Sequence, residues 1–432
     1  MGRSSRRKAA VEQLDSSDAD SVSSVSTNLS DLTLAHDTEI VNSQEFVLEK
    51  YIDALYEKRG STRETALAGL VDAFENTVLL SFVENKCATL LHQCINSMKR
   101  GSTKEACLAS RAIGLLAITV GTGSSAREIM EDSVPHLSRV LLSGSDASKV
   151  SCVLDCLATI TFIGANDQAE TEVSLKAMWE VIHPKSGSNV ASAKRPSPAV
   201  LAVAVSAWSF LLTTIGTWRI NPDTWKESVS FLSTLLESND RAVRIAAGEA
   251  IALCFELGIL DVSCGEESDS DNLDKGSKRQ VFLYMQSLKA KISGQVNSLS
   301  VEAGGKGADK KNLNDQRDLF QKIWDFIKFG ECPEASVKVS SKHAMLKVSS
   351  WTDLIRLNFL RRFLRKGFLK HAQENELLHD IFDFALDKTE GLSNKEKRIS
   401  RSEDEKGRSQ KLNKDRKLAQ ERKKSILVVQ DA

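Results

Sequence analysis

The sequence is poor in residues that interrupt or oppose helices: its 432 residues include only 6 Pro, 23 Gly and 3 Tyr. So little Pro and Gly excludes a collagen-like chain and, together with a hydrophobic fraction of 41%, a chain that is disordered throughout. The shortage of Tyr beside many Leu, Ala and Lys favours helix over sheet. We therefore predict a mainly helical chain with a buried core, and its length suggests two or three domains.

Motifs that would identify an enzyme or a metal site are missing as well. The sequence contains no G-x-S-x-G, no H-E-x-x-H and, among its 8 Cys, no C-x-x-C pair. The group Cys87, His92 and Cys94 lacks the second pair of ligands that a zinc site requires. No apolar stretch in residues 1–30 is long enough for a signal-peptide core. We expect a non-secreted, non-catalytic protein with reduced cysteines, no metal and no cofactor.

Two short motifs resemble parts of enzyme sites. GTGSSA at Gly121–Ala126 has the G-x-G-x-x-A spacing of a dinucleotide-binding turn, in which glycine lets the backbone approach a pyrophosphate. The surrounding strands of such a fold are not indicated, however, and Gly121 is already explained as the end of a helix in the repeated pattern. His379 and Asp380 could form an acid–base pair, but without a nucleophile or ligand set an exposed helix surface is the better interpretation.

One segment is long enough to cross a membrane. Pro196–Trp218 comprises 23 residues without a charge. Its Ser and Thr residues dilute the hydropathy, and it falls in register with neighbouring helical segments that are typical of soluble proteins. We therefore predict a buried core helix and no membrane partner, with a membrane span as the alternative.

A repeat runs through the first half of the chain. The sequence STRETALA at Ser61–Ala68 is matched 41 residues later by STKEACLA at Ser102–Ala109. Apolar helical segments then end at four glycines spaced by 43, 52 and 42 residues, namely Gly121, Gly164, Gly216 and Gly258. This pattern predicts helices that begin at Ser or Asp caps and end at a Gly with positive φ. A period of about 40–47 residues with two helices predicts an all-α, HEAT/armadillo-like α-solenoid, whose repeats bury their apolar faces by stacking.

Composition divides the sequence into five parts. Residues 1–45, with ten Ser and eight acids, are predicted to be disordered, and 46–260 form the α-helical repeat domain. Residues 261–314 are acidic and then Gly-rich, which predicts a mostly flexible joint with one possible helix at Val281–Leu299. Residues 315–390 are predicted to form a small, mainly helical C-terminal domain with a short strand pair. The basic tail 391–432 completes the chain.

Positive charge is concentrated near the C-terminal end. From Asp315 onward there are 26 basic and 19 acidic residues, although the whole chain has no net charge. In the helical segment Trp351–Ala372, one stripe is apolar and consists of Leu357, Leu360, Leu364 and Phe368. Arginines on another face form a guanidinium-rich patch suited to phosphate, and the tail extends that charge. We predict an RNA-binding surface of basic residues: Arg356, Arg361, Arg362, Arg365, Lys366, Lys370, Lys411, Lys414, Arg416, Lys417, Arg422, Lys423 and Lys424.

The alternative for this helix is a solvated charged face. In that case its cations pair with nearby acids such as Glu374 and Glu376 instead of with phosphate. The two interpretations are nearly balanced, and the cationic tail that follows the helix slightly favours binding of a polyanion.

The C-terminal segments QRDLFQKIWDFIKFGECP and LKVSSWTDLIRLNFLRRFLRKGFLKHAQENELLHDIFDF resemble the C-terminal domain of the interferon-related developmental regulator family. The preceding repeats resemble the helical N-terminal domain of that family. Asp318 stands where the family pattern has a Ser, which weakens any phosphorylation argument at that position. The resemblance implies structural roles for Gln316, Arg317, Phe320, Trp351, Gly367, His371, Asn375 and Phe382.

The function that this resemblance implies is non-enzymatic control of gene expression. The leading hypothesis is a factor that binds ribosomes or ribosomal RNA and holds translation down, with protein partners on the solenoid surface. The alternative is a nuclear transcriptional co-regulator that acts as a scaffold in co-repressor complexes, with Arg3–Lys8 and Lys411–Lys424 as weak import-like signals. The expected location is accordingly cytoplasmic, nuclear or both.

Overall fold

A computed structural model describes residues 45–143, 146–184, 195–215, 222–260, 274–302, 310–339 and 345–384. Contacts divide the chain into a unit that ends at Glu49 and a second unit that begins at Lys50, and the architecture below is that of the second unit. The predictions for residues 1–44 and for the basic tail lie outside the described residues. These include the roles of Lys411, Lys414, Arg416, Lys417, Arg422, Lys423 and Lys424.

Helices account for most of the described chain. A first helix, α1, spans 45–54. It is followed by α2 (Gly60–Asn76), α3 (Leu80–Arg100), α4 (Thr103–Val120), α5 (Ser124–Leu142), α6 (Ala147–Gly164), α7 (Gln168–Ile182), α8 (Pro198–Leu212), α9 (Pro222–Leu235), α10 (Arg241–Glu256), α11 (Asp274–Ser300) and α12 (Lys310–Phe329). The chain continues with β1 (Ala335–Lys338), β2 (Met345–Val348), α13 (Trp351–Leu364), a 3-10 turn (Arg365–Gly367), α14 (Phe368–Glu374) and α15 (Glu376–Ile381).

These helices stack as consecutive pairs. The even-numbered helices α2, α4, α6, α8, α10 and α12 contact one another in that order, and we call this surface the even layer. Behind it, α3 packs on α5, α5 on α7, and α9 on α11. The apolar residues of each even helix are therefore buried against its neighbours in the even layer and against the helices behind it. A single repeat could not cover its apolar face, so the repeats are stable only when stacked. The predicted all-α, HEAT/armadillo-like solenoid is confirmed.

Local signals at the helix ends explain the repeat. Side chains of Ser102, Asp146, Ser197 and Asp240 accept a backbone N–H hydrogen bond at the starts of α4, α6, α8 and α10. Gly121 and Gly258 have φ of 68° and 66°, so the predicted glycine stops are confirmed there. At Gly164 that prediction is wrong, because it is the last residue of α6 and its small size serves packing instead. A Cβ on Gly164 would lie 2.6 Å from the Ala126 carbonyl oxygen, and Gly216 lies outside the described residues.

The predicted boundary between a repeat domain and a C-terminal domain is not where the packing changes. Residues 261–314 were expected to be mostly flexible, but they contain the long helix α11 and the start of α12. Because α11 packs on α9 and α12 packs on α10, this pair extends both layers by one more repeat. The possible helix at Val281–Leu299 lies within α11.

Two further predictions concern short or apolar segments. The strand pair is confirmed as an antiparallel hairpin in which Ala335 pairs with Val348 and Lys338 with Met345. The apolar segment near Pro196 forms α8, whose 15 residues are fewer than the roughly 20 needed to cross a bilayer. By length and composition, α6 is long and apolar enough to do so, with 61% of its residues buried in the protein.

Candidate functional site

Helix α13 lies along the even layer. From its beginning to the turn after its end, the chain passes the even helices in the reverse of their sequence order, from α10 to α2. At its beginning, the backbone N–H groups of Trp351 and Thr352 donate to the Glu256 carboxylate at the end of α10, both over 2.7 Å. After its end, Gly367 touches the backbone of Glu75 in α2. Repeat proteins commonly bind partners along such an extended surface. Here a segment of the same chain occupies it.

Aromatic stacking holds the middle of α13 against the even layer. Phe359 stacks on Phe210 of α8 with ring centroids 3.9 Å apart, and Phe210 in turn stacks on Phe162 of α6 at 4.4 Å. One turn later, Phe363 lies over Gly114 of α4, where a Cβ would come within 2.5 Å of the Phe363 ring. Gly114 is therefore needed for close approach of this ring. The predicted apolar stripe of Leu357, Leu360, Leu364 and Phe368 is buried, as expected.

Arg356, a predicted RNA-binding residue, points into this interface. Its guanidinium donates to the Thr213 hydroxyl over 3.1 Å and to the Thr213 carbonyl over 2.9 Å, at the end of α8. It also lies 5.6 Å from the centre of the Phe162 ring. Burial lowers the pKa of Arg356, opposed by the nearby carboxylates of Asp353 and Glu256. An RNA phosphate could not take these positions without undocking the helix, so the structure assigns Arg356 to packing.

Arg362 is held in the same way. Its two terminal nitrogens donate to the two carboxylate oxygens of Asp155 in α6, both over 2.8 Å. Burial raises the pKa of Asp155, and the attraction to Arg362 opposes that rise. A bidentate pair of this geometry orients both partners. Arg362 therefore links α13 to α6, while 39% of its side chain remains exposed.

A second partly buried acid contacts α13 beside this pair. The Asn358 amide donates to the Glu249 carboxylate of α10 over 2.9 Å. Burial raises the pKa of Glu249 to about 7, while the hydrogen bond from Asn358 and the charge of Arg362 act in the opposite direction. Further along, Arg111 of α4 donates to the Phe363 carbonyl oxygen over 2.5 Å and pairs with Glu75 of α2. Acids and bases of four even helices thus converge beneath α13.

The other predicted cations remain on the outside. Arg361 is exposed and has no acidic partner within the described ranges. Arg365 has 64% of its side chain exposed and lies 3.9 Å from Glu75, whereas Lys366 pairs with Asp72 over 3.0 Å. Lys370 pairs with Glu374. Exposed pairs of this kind contribute little to stability and exchange readily with other ions. Two lysines thus have acidic partners, as in the solvated-face alternative, and both remain exposed.

Three residues carried over from the family pattern attach the segment after α13 to the ends of repeat helices. Gly367 lies so close to α2 that a Cβ would be 1.6 Å from the Glu75 carbonyl oxygen. His371 is fully buried, and its Nε2 lies 2.9 Å from the Phe74 carbonyl oxygen. The Asn375 amide donates to the Ile118 carbonyl oxygen at the end of α4 over 2.9 Å, and its Oδ1 accepts the Leu377 N–H at the start of α15. These contacts satisfy carbonyl groups that a helix end leaves unpaired.

The remaining family residues are structural too. On α12, the Gln316 amide joins Arg244 and Glu302, at 2.8 and 2.6 Å. Phe320 lies against Gly248 of α10, where a Cβ would come within 2.8 Å of its ring. Trp351 is fully buried and Phe382 is nearly so, whereas Arg317 is partly exposed. The predicted structural roles thus agree with the positions of the buried members of the set.

The pH dependence of stability tests the His371 contact. Burial lowers the pKa of His371, and the bonding pattern, with Nε2–H donating and Nδ1 accepting from Asn375 at 3.2 Å, belongs to the neutral ring. Below its ordinary pKa of about 6.5 the unfolded chain takes up a proton that the folded chain resists, so this stabilisation is lost as the pH falls below about 6.5. The raised pKa of Glu249 has the opposite sign, since its contribution is lost as the pH rises toward 7.

We therefore expect the His371→Gln variant, which retains a donor but cannot titrate, to lose less stability than the wild type between pH 7 and pH 5. Urea unfolding at both pH values measures this difference, and the Glu249→Gln variant removes the opposing contribution. Equal losses in the wild type and in His371→Gln would show that His371 does not resist protonation in the folded protein.

The motif GTGSSA forms a helix connection. Gly121 caps the end of α4, and Gly123, with φ of 144°, precedes α5. A cavity of about 350 Å³ does lie beside Gly121 and Thr122, but carboxylates of α14 and α15 line it, from Glu374, Glu376 and Asp380. Negative charge there opposes a pyrophosphate. No cluster of three metal-ligating side chains occurs among the residues that the structure describes.

The sequence alone did not indicate which acids of the even layer bond to α13. Asp155 and Glu249 are single acids within the apolar helical segments CVLDCLATITFIG and RIAAGEAIALCF. A lone carboxylate inside such a run predicts a buried polar partner, because an unpaired buried charge is costly. That signal could have indicated a basic ligand for the even layer, although it could not have identified Arg362 and Asn358 as the groups that supply it.

Comparisons with known proteins give consistent results. The family model described as Interferon-related developmental regulator matches residues 15–328, which include Gln316, Arg317 and Phe320 but end before Trp351. Interferon-related developmental regulator 2 of Mus musculus is 29% identical over 341 residues, covering 78% of this chain and 72% of the mouse protein. Interferon-related developmental regulator 1 of Homo sapiens is 26% identical over 346 residues, covering 78% and 71%.

Solved structures similar to this chain include engineered proteins. A designed armadillo repeat protein is 14% identical, covers 64% of this chain and 99% of its own, and superposes with a TM-score of 0.40. A second engineered protein is also 14% identical, covers 65% and 98%, and has a TM-score of 0.43.

Proposed function

Since the chain belongs to the interferon-related developmental regulator family, and is thus a helical-repeat regulator, we propose that it binds ribosomal RNA through its basic C-terminal region and thereby holds translation down. The observation that carries this proposal is the two-sided character of α13. The inner side of α13 is bonded to the even layer, whereas exposed cations lie on its outer side and on the segment that follows it. These are Arg361 on α13, Arg365 and Lys366 in the 3-10 turn, and Lys370 on α14.

A fixed helix makes these cations effective ligands for phosphate. Because Phe359 and Arg362 hold α13 in place, its backbone need not be ordered when RNA binds. Arg361 has no acidic partner within the described residues, and the ion pair of Lys366, with both side chains 66% exposed, is weak enough for a phosphate to replace Asp72. The tail between Lys395 and Lys424 adds 13 basic against 6 acidic residues. Several such contacts give binding that weakens steeply with salt.

Neutralising the exposed cations tests the proposal. In the variant Arg361→Gln, Arg365→Gln, Lys366→Gln, ribosome co-sedimentation should weaken, and the slope of log affinity against log salt should fall by about 3, one for each lost phosphate contact. The tail is left intact in this variant. Glutamine is preferred to glutamate because a new acid at position 365 would also repel Glu75.

A matched control carries three neutralisations elsewhere. The variant Arg100→Gln, Lys104→Gln, Lys176→Gln removes the same charge from exposed positions on α3, α4 and α7. It should sediment with ribosomes as the wild type does. A slope that is unchanged in the α13 variant, or lowered equally in both variants, would show that α13 does not contact RNA.

The alternative function is that of a nuclear co-regulator that binds proteins. Exposed apolar side chains on the helices behind the even layer favour it. Leu142 of α5 and Val173 of α7 are 51% and 60% exposed. Because α13 occupies the even layer, a protein partner of the folded chain would use this opposite side. Deleting Arg3–Lys8 and Lys411–Lys424 together should then abolish nuclear accumulation, and an unchanged nuclear content would argue against this function.

A further inference from the structure

Two cysteines of neighbouring even helices form a pair. Cys107 lies in the second turn of α4, and Cys152 lies in the second turn of α6, at nearly equal distances from the capping residues Ser102 and Asp146. Because α4 and α6 pack side by side, the repeat brings the two thiols together, and each thiol shifts the pKa of the other. Both residues are partly exposed, so a small molecule in solution can reach them.

Cys107 differs chemically from the buried cysteines, whereas the contact with Cys107 and burial raise the pKa of Cys152. Cys94 and Cys254 are fully enclosed, and burial raises the pKa of each to about 12. Interaction with the Cys152 thiol lowers the pKa of Cys107, and Lys149 contributes in the same direction, whereas burial and Asp146 oppose the shift. The thiolate is the reactive form of cysteine, and a low-pKa, accessible thiol beside a second thiol is the arrangement found in redox-sensitive sites.

We propose that Cys107 and Cys152 are a reversible oxidative modification site, at which a hydroperoxide converts the two thiols into a disulfide. The Cys107 thiolate attacks the outer oxygen of the hydroperoxide, which gives a sulfenic acid and releases hydroxide or alkoxide. The Cys152 sulfur then attacks the Cys107 sulfur, which forms the S–S bond and releases water. Two thiols are oxidised, one hydroperoxide is reduced, and a dithiol reductant reverses the change.

The position of the pair gives the modification a structural consequence. Arg111, one turn after Cys107, bonds to the Phe363 carbonyl, and Asp155, three residues after Cys152, bonds to Arg362. A cross-link between α4 and α6 would therefore fix the spacing of two helices that hold α13. Oxidation should raise the unfolding temperature by several degrees, because the bridge restricts the unfolded chain.

Treatment of the intact protein with hydrogen peroxide tests the proposal. Mass spectrometry after blocking free thiols should detect the Cys107–Cys152 cross-linked peptide, formed at least tenfold faster than oxidation of the exposed Cys332. The rise in unfolding temperature should disappear after dithiothreitol. In the variant Cys152→Ser, Cys107 should stop at a sulfenic acid that a dimedone probe traps, whereas in Cys107→Ser no such acid should form at Cys152.

The variant Cys332→Ser is the matched control and should oxidise at the pair as the wild type does. The proposal is overturned if Cys332 reacts first while the pair stays reduced, or if a disulfide joins either residue to another cysteine. It is also overturned if the bridge forms without any change in unfolding temperature.

Discussion

Replacing Gly367 with alanine should lower the free energy of unfolding by more than about 3 kcal/mol, because overpacking and the loss of buried hydrogen bonds act together. The added Cβ would lie 1.6 Å from the Glu75 carbonyl oxygen and 2.6 Å from its carbon. Both are backbone atoms of α2, so no flexible side chain can move aside. The turn after α13 must shift instead, which breaks the contacts of His371 with Phe74 and of Asn375 with Ile118.

A second glycine provides the control for this experiment. Gly294 lies inside α11, where a Cβ would meet no described atom within 4 Å. Alanine has the higher helix propensity, so Gly294→Ala should raise the free energy of unfolding by about 0.5–1 kcal/mol. Urea unfolding of both variants gives the comparison. If Gly367→Ala is as stable as the wild type, the contact between the turn and α2 is not as close as the structure has it.

The repeat could be predicted because its signals are local. A Ser or Asp cap begins α4, α6, α8 and α10, and a glycine with positive φ follows α4 and α10. These interactions span a few residues, so sequence spacing determines them. The extra repeat formed by α11 and α12 was missed because acidic and Gly-rich sequence surrounds α11, and composition alone suggested a joint.

The role of the basic helix could be predicted only in part. Its apolar stripe followed from helical spacing, but the partners of its arginines are far away in sequence. Arg356 bonds to Thr213, and Arg362 bonds to Asp155, across 143 and 207 residues. Nothing local distinguishes these arginines from Arg361, whose side chain points outward. Only the folding of α13 onto the even layer separates bases that pack from bases that are free to bind.

Replacing Phe359 with alanine should lower the free energy of unfolding by about 3–5 kcal/mol, the usual cost of removing a buried phenylalanine. Phe359 is 1% exposed and lies between the rings of Phe210 and Phe363, at 3.9 and 6.2 Å. The exposed Phe329, with 63% of its surface in solvent, is the matched control. Phe329→Ala should change the free energy of unfolding by less than about 0.5 kcal/mol. Equal effects of the two substitutions in urea unfolding would show that α13 is not seated on α8.

Phe359 and Gly367 contact different even helices, α8 and α2, so the two variants together test whether the C-terminal segment opens as one unit. If it does, either substitution should speed hydrogen exchange throughout α13 and α14, while the amides of α4 and α6 remain protected. Ribosome co-sedimentation should weaken in both variants, because the outer cations would lose their fixed arrangement. Faster exchange confined to the residues around each substitution would instead show that α13 is held at independent points. The variant Arg361→Gln, Arg365→Gln, Lys366→Gln would then be the only measure of how much these cations contribute to ribosome binding.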